Sequence, residues 1–455
     1  MHRTLLFLAT LLALASTASA QLPPTQIQDQ IDTRQIASDV RSEFLHAWNA
    51  YKKYAWGHDG LNPISKTPYD WYGVSFCMTP VDALDTMTLM GLKEEANTTR
   101  EFIVRNLSFD KDVYVKHFEF TIRLLGGLIS SYQLSGDKRL LDLAEDLAKR
   151  MMPVYNSPTG LPYVEVNLKT GAVRGTKSNP AETGTLLIEY GALSKLTHNP
   201  AYYEKAKRSA RKTFTLRSKI GLVGDGLDIT SGVWTGTESH VSACIDSYYE
   251  YLVKSSILFG DAECGAMWDS SFAALNRYVA DTVSSGFWYG HVDMNSGKRT
   301  HRWFGALDAF FPAVLVLAGD IPRARSLQES CMKMWNRYGI ETDQIDYSTM
   351  TAVSPKYFLN PEIMESTYYL YRATGDTRYL AMGKSLLDSL KAYCRAPEGY
   401  AELKSVITKE KSDRMESYFL AETLKYLYLL YAPPETLDFK HVIFNTEAHP
   451  IQRTW

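Results

Sequence analysis

The side chains of this sequence that could do chemistry are acidic ones set inside apolar or aromatic stretches. Phe118-Glu119-Phe120 and Pro361-Glu362-Ile363-Met364-Glu365 hold carboxylates among apolar neighbours, and Asp82 with Asp85, Glu182, Asp246, Asp308, and Asp413 with Glu416 repeat the arrangement along the chain. Taken singly, each is explained by the preference of Asp and Glu for the first turn of a helix. Taken together they are harder to dismiss, because burying an uncompensated charge costs on the order of several kcal/mol. Such a cluster calls for cations, shared protons or a polyhydroxy ligand. Two carboxyls facing each other across a sugar, one protonated and one ionised, are what glycoside hydrolysis requires. The stretch from Lys440 to Pro450 adds a second motif. Its alternation at Val442 and Phe444 suits a short strand, and Asn445, Thr446 and Glu447 then offer oxygen ligands of the kind calcium prefers.

The elements that must position these groups are helices. Strand-like alternation is scarce, and a cassette recurs: an apolar helix, a Gly-Asp or similar stop, then a second helix rich in Ala, Leu and basic residues. The stops read Leu134-Ser-Gly136-Asp137, Leu196-Thr-His-Asn199-Pro200, Leu258-Phe-Gly260-Asp261, Leu317-Ala-Gly319-Asp320 and Ala373-Thr-Gly375-Asp376, with weaker copies at Met90-Gly91-Leu92 and Leu430-Tyr-Ala-Pro433. Gly ends one helix and Asp caps the next, so each cassette is an αα-hairpin. Their recurrence is an internal repeat. Its uneven spacing favours a closed toroid over an open solenoid. In a closed ring the acidic N-terminal ends of the first helices meet at one mouth.

Composition sets the limits. The formal net charge is −2, which gives no electrostatic case for nucleic acid or an anionic membrane surface. Residues 1–20 read as a signal peptide, with His2 and Arg3, an apolar run from Leu5 to about Ala15, and Ala18-Ser19-Ala20 as the cleavage site. That run is too short to span a membrane, so an exported protein with no membrane span is expected. Residues 21–455 contain no low-complexity linker and read as a single domain. Five cysteines, Cys77, Cys244, Cys264, Cys331 and Cys394, are too few for a disulfide scaffold and lack the paired spacing of a cysteine zinc site. Asn97-Thr-Thr99 and Asn106-Leu-Ser108 match the N-glycosylation pattern.

At these residues the sequence resembles the class I α-mannosidases of glycoside hydrolase family 47. The resemblance rests on Ala47-Trp48-Asn-Ala-Tyr51, Val81-Asp82-Ala-Leu-Asp85-Thr86, Phe118-Glu119-Phe-Thr-Ile-Arg123, Asp246-Ser-Tyr-Tyr-Glu250, Pro361-Glu362-Ile-Met-Glu365-Ser366, Met415-Glu416-Ser417-Tyr418 and Phe444-Asn-Thr446-Glu447-Ala-His449. It implies an all-α fold, an (α/α)7 barrel plugged by a C-terminal β-hairpin, and a Ca²⁺-dependent, inverting exo-α1,2-mannosidase trimming oligomannose glycans. On that resemblance Glu362 is the general base, Glu119 and Asp246 are the alternatives for the acid, and Asp343 stands near a further family carboxylate. Thr446 would hold Ca²⁺, waters would link the ion to Glu365, Glu416 and Glu447, and Arg123 would contact the next sugar. The expected protein is a monomer in the lumen of the secretory pathway or secreted, or periplasmic in a bacterial host. Other features resemble the branch that trims misfolded glycoproteins in the endoplasmic reticulum: Leu307-Asp308-Ala309-Phe310-Phe311-Pro312 and Asp413-Arg414-Met415-Glu416. They carry the alternative of a non-catalytic mannose-glycan recognition protein. Ala309 stands where the family has the cysteine that would pair with Cys331, and Asn360 where an Arg precedes the Pro-Glu.

Overall fold

The computed structural model describes residues 31–455, so the expected signal peptide lies outside the described residues. Among the described residues an inner ring is built from Met78–Leu89, 117–135, 180–197, Asp246–Phe259, 307–317, Glu362–Thr374 and 419–431. Around it lie Thr33–Ala55, Lys93–Asn106, Lys138–Met151, Ala201–Thr215, Ala262–Ala274, Ile321–Tyr338 and Arg378–Tyr393. Consecutive inner helices pack on one another, and 419–431 packs back on Met78–Leu89, which closes the ring.

The two rings differ as their sequences dictate. Lys138–Met151 buries Leu140, Leu141, Ala144, Leu147, Ala148 and Met151, one apolar stripe facing inward. Asp246–Phe259 buries residues on every side, because it packs against neighbours, an outer helix and the ring interior. The stops work as read. Gly136 takes the left-handed conformation (φ +74°) that ends its helix. The Asp137 side chain then accepts from Arg139 N at 3.1 Å, and Asp261 accepts from Cys264 N at 3.1 Å.

One hairpin closes differently from the sequence reading. After Tyr431 the only helical element is the three-residue 3₁₀ turn Pro434–Thr436; the outer partner of Leu424–Tyr431 is Thr33–Ala55, the first helix of the described residues. The ring is therefore sealed by its two ends. A second difference is the set of small two- and three-stranded sheets. Their strands are two to four residues long, too short to produce a readable alternation. Those before the last inner helix all lie in the links from an outer helix to the next inner one, at the end of the barrel where the inner helices begin.

The opposite end is filled by the C-terminal hairpin. Val442–Phe444 pairs with Pro450–Gln452 in the register Val442↔Gln452, Ile443↔Ile451, Phe444↔Pro450. Its tip runs up inside the ring past Gly126 and Gly127. A Cβ on Gly126 would meet Asn445 Nδ2 at 2.5 Å, and one on Gly127 would meet the His449 ring at 3.1 Å. Asn445 Nδ2 donates to Ile122 O at 2.8 Å and Glu189 Oε1 at 2.7 Å. His449 Nδ1 meets Asp85 Oδ2 at 2.7 Å, and Lys425 Nζ donates to Ala448 O at 2.7 Å and pairs with Asp85 Oδ1 at 2.7 Å. His449, Asp85 and Lys425 are all fully buried.

Candidate active site

The inner helix starts on one side and the hairpin tip on the other enclose a cavity of about 470 Å³. Glu119, Glu182, Asp246, Glu250, Asp343, Glu362, Glu365, Glu422 and Glu447 line it, with Thr446 from the hairpin and Arg123 as the only basic side chain of the lining. Phe118, Phe310, Phe358 and Tyr418 supply apolar wall. Glu365, Glu422 and Glu447 are buried, whereas Glu119, Asp246, Asp343, Glu362 and Thr446 keep some surface open to the cavity. The floor is thus acidic and closed, and the accessible carboxyls stand above it.

Backbone irregularity sets two of these side chains. The inner helices widen to π turns at Phe120–Leu125 and Phe419–Thr423, which frees carbonyls from the i→i−4 ladder and re-aims side chains. Arg123 and Glu422 sit in those turns. Arg123 Nε donates to Glu119 Oε2 at 3.0 Å, its Nη1 pairs with Glu447 and lies 3.8 Å from Asp82 Oδ2, and its guanidinium lies over Trp71 at 5.2 Å and Tyr418 at 5.6 Å. It is fixed on every side and presents a rigid planar cation at the cavity wall.

Burial governs the acids. It pushes Asp246 up to about 7, so near neutral pH this carboxyl still holds a proton much of the time. Both of its hydrogen bonds, from Ser247 N at 2.7 Å and Ser247 Oγ at 3.1 Å, go to Oδ1. Burial also drives Glu362 well above the usual carboxylate range, with Glu365 and Asp246 adding repulsion, and its Oε2 is buried without a partner. Glu422 is raised by burial, then by Glu447 and Glu362. Glu365 and Glu447 are raised by burial, with Lys254 and Arg123 respectively pulling them back. So many carboxyls beside one guanidinium form a site short of positive charge. The floor donors are all oxygens, namely Thr446 with Glu365, Glu422 and Glu447, which is the donor set of a hard divalent cation such as Ca²⁺.

Of the side chains singled out in the sequence, the fold brings Glu119, Arg123, Asp246, Asp343, Glu362, Glu365, Thr446 and Glu447 to this one cavity. Glu416 is not among them. It is turned away to Tyr69 Oη at 2.9 Å and to Arg414 Nε at 2.5 Å, because the helix that follows it reaches the cavity one and a half turns later, at Glu422. Asp413 caps the loop at Ile64 and Ser65, and Asp82 and Asp85 lie beneath the cavity, held by Arg123, Ser417, Lys425 and His449. Glu422 was legible by the criterion that found Glu119, an acid within an apolar run, Phe419-Leu-Ala-Glu422. Glu341 was missed as well. It is fully buried just behind Asp343, with both carboxyl oxygens unpartnered, and burial and the neighbouring Glu362 raise it far above the usual range. All five cysteines are free thiols, Cys331 included.

The sequence profile of Glycosyl hydrolase family 47 matches residues 43–453. The chain is 37% identical to the endoplasmic reticulum mannosyl-oligosaccharide 1,2-alpha-mannosidase of Mus musculus, over 90% of this chain and 67% of that protein. It is 34% identical to ER degradation-enhancing alpha-mannosidase-like protein 2 of Mus musculus, over 90% of this chain and 77% of that one. Among solved structures, alpha-1,2-mannosidase from Trichoderma reesei superposes with a TM-score of 0.85 at 27% identity, covering 92% of this chain and 99% of that one; its fold is an (α/α)7 barrel.

Proposed function

Since this chain belongs to glycosyl hydrolase family 47, a family of glycoside hydrolases, we propose that it removes terminal α1,2-linked mannose from oligomannose glycans with inversion and with Ca²⁺ bound. The observation that carries the proposal is one blind cavity, closed below by the hairpin, in which Glu119, Asp246 and Glu362 all keep accessible surface. A closed floor admits the end of a glycan and not its middle, which makes the action exo.

In this mechanism the two acids hold opposite protonation states. Asp246, without a cationic partner and protonated up to about pH 7, gives its proton to the glycosidic oxygen as the bond from that oxygen to the anomeric carbon breaks. Glu362, raised by burial and by Glu365 and Asp246, would be returned to its ionised form by the charge of a bound Ca²⁺. As the carboxylate it accepts a proton from a water whose oxygen bonds to the anomeric carbon from the opposite face, so β-mannose leaves. Glu119, already engaged by Arg123, positions that guanidinium against the adjoining sugar. Thr446, Glu365, Glu422 and Glu447 would hold Ca²⁺, which supplies the positive charge this floor lacks and an anchor for sugar hydroxyls. Asp343 borders the same wall and belongs to the glycan-binding surface.

The 34% identity to a degradation-enhancing protein supports a second reading, mannose recognition without turnover. The test is Glu362→Gln assayed on α1,2-mannobiose. Turnover falling by about 10²–10⁴-fold with disaccharide binding retained supports hydrolysis. A wild-type chain that binds the disaccharide in a calcium-dependent way and releases no mannose leaves recognition as the function.

A further inference from the structure

A second group of ligating side chains stands in a three-stranded sheet at the mouth end of the barrel. The central strand, His291–Asp293, pairs with Glu238–Ser239 in the register Val292↔Ser239 and Asp293↔Glu238, and with Arg299–His301 through His291↔His301. The next step of that antiparallel register sets His240 across from His291. Three histidines, His240, His291 and His301, therefore form a row on one face, with Glu238 on the same face two residues before His240. Ligating atoms of Glu238, His240 and His291 all lie within 4.8 Å of one another, and the His240 and His291 rings stack at 4.3 Å.

We propose that Glu238, His240 and His291 form a binding site for a divalent transition-metal ion of the zinc class, separate from the oxygen-lined floor of the cavity. Two imidazoles and one carboxylate, with a fourth position left for water or for Asp225, are a zinc-type donor set and a poor one for calcium. Glu238 Oε2 and His291 Nδ1 are 3.1 Å apart, close to the roughly 3.3 Å edge of a tetrahedron with about 2.05 Å metal–ligand bonds.

Independent support comes from His291 itself. It is 5% exposed; its Nε2 has no hydrogen-bond partner, a condition folded proteins rarely carry, and its Nδ1 faces only the Glu238 carboxylate at 3.1 Å. A bound cation gives this ring a partner. The surroundings supply the orienting contacts such ligands need: His301 Nδ1 at 2.8 Å and Thr300 Oγ1 at 2.6 Å hold the other oxygen of Glu238, and Trp303 stacks on His301 at 3.8 Å. Asp225 Oδ1 is also buried and unpartnered, and its charge is felt by both Glu238 and His291. His240 Nδ1 accepts from Ser242 N at 3.1 Å, two residues before Cys244 on the cavity wall.

The test uses the untagged full chain, stripped with chelator, reloaded with Zn²⁺ and dialysed, with bound metal measured by mass spectrometry and affinity by calorimetry. The expected result is about one zinc per chain in the wild type and in Thr446→Ala, at least a tenfold loss of affinity in His240→Ala and His291→Ala, and a smaller loss in His301→Ala. Zinc bound by His291→Ala and His240→Ala as by the wild type overturns the proposal, as does a wild type that retains none. If those variants fail to fold, X-ray absorption on the zinc-loaded wild type decides. Imidazole scattering in the first shell supports the site, and an oxygen-only shell overturns it.

Discussion

At the scale of single residues, the chemistry depends on two carboxyls in opposite states: Asp246 kept protonated by burial, and Glu362 ionised once the charge of a bound cation offsets the burial and repulsion that raise it. Asp246 owes its pKa of about 7 to burial, against which the Ser247 donors work. Because the catalytically competent form is the protonated one, activity must decline as pH rises through the pKa. The alkaline limb of kcat/KM is therefore expected near pH 7, from a pH–rate profile on α1,2-mannobiose, and Asp246→Asn should abolish turnover and leave no limb to measure. A limb well above pH 8 would assign the proton to Glu119 or another group. Sequence reading found these acids because a carboxylate within an apolar run is costly and so informative. Glu416 entered through the resemblance of Met415-Glu416-Ser417-Tyr418 to the family, and Glu422 was passed over although it too stands in an apolar run; Glu422 lines the cavity, whereas Glu416 is held by Tyr69 and Arg414.

At the scale of elements, the C-terminal hairpin carries Thr446 and Glu447, and its seat is cut to fit. Gly126 has helical dihedrals, so its lack of a side chain is needed for space alone: Asn445 Nδ2 lies 2.5 Å from where a Cβ would stand. Gly126→Ala should displace Asn445 from Ile122 O and Glu189, destabilise by about 1–3 kcal/mol, and weaken calcium binding through Thr446. A lowered Tm with weakened calcium affinity in titration calorimetry is the expected pair of results; a lower Tm with intact affinity would separate the hairpin from the ion. The helical cassettes were legible because each carries its own punctuation, as with Gly136 and Asp137. The short sheets in the links were not, since two to four residues give no period, and the cluster of Glu238, His240 and His291 depends on a pairing of strands about fifty residues apart.

At the scale of the whole molecule, the two ends of the described residues close the structure, Thr33–Ala55 against the last inner helix and the hairpin against the floor. That closure is electrostatically locked. His449 is raised from 6.5 to about 9, against a desolvation that lowers it, chiefly by Asp85, and Asp85 is lowered to about 2, against its own desolvation, by Lys425 and His449. A raised histidine pKa means stability present in full below about 6.5 and lost as pH climbs through about 9; a lowered aspartate pKa means stability present above about 3.8 and lost as pH falls through about 2. Burial raises Asp308 and Glu189 to about 7, which removes stability as pH rises from about 4 to 7. Thermal stability should therefore be greatest in mild acid and fall toward pH 9, and His449→Gln should lower Tm at pH 6 and narrow its difference from the wild type by pH 9. A difference that is constant across that range would mean the imidazole is neutral in the fold.

The account turns on the claim that this blind cavity hydrolyses a terminal mannose by direct displacement with water. Proton NMR of the purified chain acting on α1,2-mannobiose with calcium present, followed from the first turnovers, reads that claim directly. The β-anomer of mannose appearing first, and disappearance of turnover on chelation, is the predicted result. The α-anomer appearing first, or release undiminished by chelation, would contradict it.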